Sequence, residues 1–155
     1  MVRIVRMLRA ASLTLALALI ACTDDGGSDD EATVPECVEY TLESCAPLYP
    51  ATYDQVWEQT FSDSCAEFGT ACHAQADAAG AENGLVFADP QLAWEHLTMT
   101  SDLVKPGDPL CSPLFVRLVS TDPEIRMPPG NTSLDAGALC SIGTWISDGA
   151  LYVQP

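Results

Sequence analysis

Apolar positions recur with helical spacing in four stretches of the chain. Over residues 53–62, Val56, Trp57, Thr60 and Phe61 share one face, and Thr52 stands where a cap is needed. Asp89-Pro90 places a capping side chain ahead of a proline in the first turn, predicting a helix over 90–100 that carries Leu92, Trp94, Leu97 and Met99. Ser112-Pro113 repeats that start signal before Leu114-Phe115-Val116-Arg117-Leu118-Val119. A last helix, from Leu134 or Asp135 to Ser147, brings Leu139, Ile142, Trp145 and Ile146 together, and Gly149 suits its termination. No stretch alternates apolar and polar residues as a half-buried strand would, and Pro and Gly mark the long connections at Pro106-Gly107 and Pro128-Pro129-Gly130. The predicted fold is all-α with long ordered loops.

The first residues belong to a different class. Arg3, Arg6 and Arg9 precede an apolar run over 10–20, which is the layout of an export signal and is short for a membrane span. The run ends in Leu19-Ile20-Ala21-Cys22, which resembles a lipobox. Residues 1–21 are therefore expected to be a lipoprotein signal peptide, with Cys22 as the acylated residue. With Thr23 rather than Asp after Cys22, the anchor is expected in the outer membrane, facing the periplasm. Residues 22–36 are acidic and poor in apolar side chains, so they read as a flexible tether. The folded domain is then 37–155.

Charge narrows the choice of partners. All 22 Asp and Glu follow residue 21, accompanied by only three Lys or Arg, which gives that part of the 155-residue chain a formal charge of −19. Such a surface repels phosphate backbones, excluding nucleic acid, and suits a partner with a basic docking surface. No Gly-x-Ser-x-Gly elbow, phosphate loop or His-Glu-x-x-His helix is present, and no enzymatic role is expected.

Six cysteines follow the tether: Cys37, Cys45, Cys65, Cys72, Cys111 and Cys140. An even number in an exported chain points to disulfides. Proximity in sequence suggests a local loop closed by Cys37 and Cys45, and the placement of Cys111 and Cys140 near two predicted helices suggests a staple between those helices. Cys65 and Cys72 remain, the second directly followed by His73. Zinc at Cys65, Cys72 and His73 ranks last, since an oxidising compartment disfavours free thiolates. His96 reads as a partly exposed helix residue.

Ser64-Cys65 with Cys72-His73, Gly84-Leu85-Val86-Phe87-Ala88-Asp89, Val104-Lys105-Pro106-Gly107-Asp108-Pro109, Arg126-Met127-Pro128-Pro129-Gly130 and Trp145-Ile146-Ser147-Asp148-Gly149-Ala150 occur in this order. Together they resemble bacterial c-type cytochrome domains of the planctomycete cytochrome C type, over residues 51–150. The resemblance implies a small, disulfide-stapled cytochrome c-like helical domain that binds one covalent haem c and transfers electrons. It implies that Cys72, with Cys65, attaches the haem, that His73 is the proximal iron ligand and that Met127 is the distal one. Leu85, Phe87, Trp145 and Ile146 are natural walls for a flat apolar macrocycle.

One feature departs from the family pattern. Six residues, 66–71, separate Cys65 from Cys72, and Gly69 stands where the first cysteine of the usual haem signature would be. Either the spacer loops out and both cysteines bind haem, or they form a disulfide. In the second case the protein is a haem-free, disulfide-stapled binding or structural lipoprotein.

Overall fold

The computed structural model describes residues 33–66, 72–81, 84–130 and 132–152. The signal peptide, Cys22 and most of the acidic tether lie outside the described residues, as do residues 67–71 of the Cys65 to Cys72 spacer.

Four helices form where the apolar periodicity predicts them, and no strand occurs among the described residues. Helix α1 begins as Tyr53–Val56 and continues as a π-wound turn over Trp57–Cys65. Helix α2 likewise runs Pro90–Glu95 and changes to π winding over His96–Thr100. Helix α3 is Pro113–Val119 and helix α4 is Ala136–Ser147. Helix α4 packs against α1 and α3. Its inward face, Leu139, Ile142, Trp145 and Ile146, is buried as its periodicity predicts.

Two of the four predicted start signals act as side-chain caps. The Asp89 carboxylate accepts the N–H of Leu92 at 2.9 Å, and that of Asp135 accepts the N–H of Gly137 at 2.7 Å. Thr52 and Ser112 occupy the cap positions without capping. The Thr52 side chain bonds the carboxylate of Asp54 instead and helps hold that group below its ordinary range. The fully buried Ser112 hydroxyl accepts the N–H of Lys105 at 2.9 Å and donates to the carbonyl of Asp108 at 2.7 Å, so it fastens a loop rather than a helix end. At the other end of α4, Gly149 takes φ +100° and donates its N–H to Ile146, stopping the helix as expected.

Tyr53 joins α1, α2 and α4. Its ring centroid lies 5.3 Å from that of Trp145 and 5.5 Å from that of Tyr152, while its hydroxyl donates to the carbonyl of Pro90 at 2.6 Å. Trp94 Nε1 donates to the carbonyl of Ala150 at 2.7 Å, tying α2 to the segment after α4.

The disulfides differ from the expected pairs. Cys37 is bonded to Cys111 and Cys45 to Cys140, replacing both the local Cys37–Cys45 loop and the Cys111–Cys140 staple. The cause is the path of the segment before α1, which crosses the domain instead of turning back on itself. Val38 donates its N–H to the carbonyl of Leu110, which sets Cys37 beside Cys111. Leu48 donates to the carbonyl of Gly137, and the Tyr49 carbonyl accepts the Ser141 hydroxyl, which sets Cys45 along α4. Cys65 and Cys72 take no part in these bridges.

Candidate functional site

The end of α1 and the turn after Cys72 meet at Cys65. His73 donates its N–H to the carbonyl of Cys65 at 3.1 Å, closing the spacer so that both cysteines and the histidine lie at one end of the π-wound turn. Cys65, Cys72 and His73 are each half-buried. Burial pushes the Cys65 thiol up to about 12, and the neighbouring Cys72 acts in the same direction. A thiol so placed stays protonated at neutral pH.

Residues 84–87 form the other wall. His73 Nδ1 lies 3.0 Å from the carbonyl oxygen of Leu85, and the carbonyl of His73 accepts the N–H of Phe87 at 2.7 Å. A carbonyl only accepts, so Nδ1 carries the proton and Nε2 keeps its lone pair. The Phe87 ring meets the imidazole edge to face, with centroids 5.5 Å apart. The turn itself depends on Gly80, because a Cβ there would stand 2.9 Å from the carbonyl oxygen of Cys72.

The structure thus brings Cys65, Cys72 and His73 together. Met127 is positioned by a different element: its N–H is donated to the carbonyl of Arg117 in α3, and it packs half-buried on the edge of the core. The Met127–Pro128 peptide is cis. Among the described residues no three His, Cys, Asp or Glu side chains converge on a point where a bare metal ion would sit.

The expected macrocycle walls form a packed core. Leu85, Phe87, Trp145 and Ile146 are all buried. Phe87 stacks on Phe61 with centroids 4.8 Å apart, and Phe61 in turn lies 6.4 Å from Trp145. These rings satisfy one another instead of bordering an open slot. A flat ligand at His73 would therefore lie over the outer edge of this cluster, on the half-buried side where the two cysteines are.

His96 stands where it was expected, partly exposed on α2. Its Nε2 is buried and, among the described residues, has no hydrogen-bond partner. The periodicity of 90–100 held no sign of this; the Gly84 backbone lies close to the ring, with an ideal Cβ there 3.3 Å from Cε1. The carbonyl of Leu85 is a second functional group that residue types alone could not reveal, since any residue supplies one.

No family profile, curated protein or solved structure matches the chain.

Proposed function

We propose that residues 37–155 hold one covalent haem c at Cys65, Cys72 and His73 and pass single electrons at the cell envelope. The observation that carries this reading is the contact of His73 Nδ1 with the Leu85 carbonyl. Metal-bound histidines generally donate the second ring nitrogen to a carbonyl or carboxylate, which fixes ring orientation and raises the basicity of the ligating nitrogen. His73 has that arrangement directly after a cysteine left out of the disulfides. The chemistry such a group supplies is one-electron exchange at iron between its ferric and ferrous states.

The remaining steps fall to the chain's own residues. Cys72 and Cys65 offer two thiols for thioether attachment, and the His73 N–H to Cys65 bond offsets the long spacer by returning Cys65 to the Cys72-His73 turn. Phe87 keeps water from one edge of the imidazole. Met127 is the residue the resemblance implies for the opposite face of the iron. The charge of −19 after residue 21 favours docking to a basic redox partner, and acylation at Cys22 would hold the domain at the membrane.

One observation favours a second reading. The mutual packing of Phe61, Phe87 and Trp145 completes a core without a ligand, and Cys72 is close enough to Cys65 to help raise its thiol. A haem-free binding or structural lipoprotein with a third disulfide fits those two facts. The visible spectrum separates the readings. Protein made in a periplasm competent for cytochrome maturation should be coloured, with sharp bands on reduction. Colourless protein under those conditions would leave the haem-free reading standing alone.

A further inference from the structure

The segment before α1 lies across the first turn of α4 and leaves a cleft there of about 480 Å³. Tyr40, Ala46, Pro47, Leu48 and Ala136 supply most of its lining, and Asp135 is its one charged side chain. Leu48 is 62% exposed, one of four large apolar side chains on the surface of the described residues. Ala46, Pro47 and Ala136 are exposed beside it, so the apolar surface is continuous.

A lone surface leucine needs no explanation. Leu48 is different because its backbone is fastened on both sides. The Cys45–Cys140 disulfide ties the segment to the middle of α4, Leu48 donates its own N–H to the Gly137 carbonyl at 3.0 Å, and the Tyr49 carbonyl accepts the Ser141 hydroxyl at 2.8 Å. A Cβ on Gly137 would stand 3.0 Å from the Cβ of Leu48 and 3.2 Å from the Ala46 carbonyl oxygen, so the segment sits flush on the helix. A partner therefore meets a preformed apolar surface and avoids the cost of ordering it.

Charge selects the occupant. Neither residues 33–52 nor α4 contain a Lys or Arg, since all three that follow residue 21 fall within 105–126. Asp135 is exposed, as are Glu39 and Glu43 on the crossing segment. The cap bond from the Gly137 N–H uses only Oδ1 of Asp135, which leaves Oδ2 to meet a cation. An apolar centre beside carboxylates matches a segment with an apolar side chain between basic ones. A second copy of this chain would bring like charges together, which is unfavourable.

We infer that this cleft is a docking site for a protein segment that presents one apolar side chain flanked by Lys or Arg. The apolar side chain packs on Leu48 and Pro47, and a flanking cation meets Asp135. None of Cys65, Cys72 and His73 lines the cleft, and the inference does not rest on the haem reading.

The test titrates the exported protein, labelled with nitrogen-15, with a pentapeptide of leucine between two pairs of lysines. Two control peptides carry serine at the centre or glutamates at the flanks. Expected are amide shifts at residues 45–49 and 135–138 with the leucine–lysine peptide alone, weakening as salt is added. Leu48→Gln should weaken binding by about fivefold or more. Asp135→Asn, which keeps a capping side chain and removes the charge, should weaken it by about threefold and flatten the salt dependence. Thermal midpoints of both variants should match the parent, and the peptide comparison on the parent protein decides the matter even if they do not. Equal binding of the serine-centred peptide, shifts confined to other residues, or no shift at millimolar peptide overturns the inference. Sedimentation that shows a dimer dispersed by Leu48→Gln also overturns it, by making a second copy the occupant.

Discussion

Gly80 packs against the backbone of Cys72, so that a Cβ on Gly80 would lie 2.9 Å from the Cys72 carbonyl oxygen and 3.0 Å from its carbonyl carbon. Backbone atoms cannot swing aside as the tip of a flexible side chain can. Gly80→Ala should therefore distort the turn that carries Cys72 and His73 and lower stability by roughly 1–3 kcal/mol, the usual range for forced overpacking. Denaturant midpoints measure this, with Ala79→Ser at the adjacent exposed position as the reference. Equal midpoints for the two variants would show that Gly80 is not needed for the close approach.

The two disulfides close loops with sequence separations of 74 and 95 residues. On the chain-entropy account each contributes roughly 4–5 kcal/mol. Peptide mapping without reduction should recover the Cys37–Cys111 and Cys45–Cys140 pairs. Paired Cys45→Ser and Cys140→Ser substitutions should lower the thermal midpoint sharply. Recovery of a Cys37–Cys45 peptide would mean that the segment before α1 does not cross the domain.

Protein with Cys65 and Cys72 as free thiols should lose stability as the solution becomes alkaline. The Cys65 thiol is raised from 9.0 to about 12 by burial. Between these values the unfolded chain has released a proton that the folded chain retains, so the contribution is complete below pH 9 and falls as pH rises toward 12. The phenols of Tyr49 and Tyr53 are also raised by burial and act in the same direction above pH 10. The interval from about pH 9 to 10 thus isolates Cys65. Unfolding free energies over that interval should fall for the parent protein and stay level for Cys65→Ser. In the same form, iodoacetamide should modify Cys72 before Cys65, and the reverse order would contradict the burial of the Cys65 thiol.

Cys22→Ala should move the protein from the membrane fraction to the soluble one, because acylation at Cys22 is the anchor that the lipobox-like Leu19-Ile20-Ala21-Cys22 implies. Membrane retention of that variant would count against acylation at Cys22.

The helices were legible in the sequence because their signals are local. The spacing of Leu139, Ile142, Trp145 and Ile146 and the Asp89-Pro90 start depend only on neighbours within a turn or two. The disulfide pairs were not legible, since they follow the path of residues 37–49 across α4, and that path is set by contacts such as Tyr49 with Ser141 over a separation of 92 residues. Cys65, Cys72 and His73 could be proposed as a unit because they carry their chemistry in their residue types. The partner of His73 could not, because it is a backbone carbonyl. Nor could the burial of His96 Nε2, beside which the Gly84 loop approaches from outside the helix.

The measurement closest to the central claim is the mass of the peptides that contain Cys65 and Cys72, taken from protein matured in a cytochrome-competent periplasm and then fully reduced. The account predicts that both cysteines resist alkylation and carry the mass of one haem, while Cys37, Cys45, Cys111 and Cys140 each become alkylated. Recovery of Cys65 and Cys72 as two ordinary alkylated cysteines, joined by a disulfide before reduction, would contradict it.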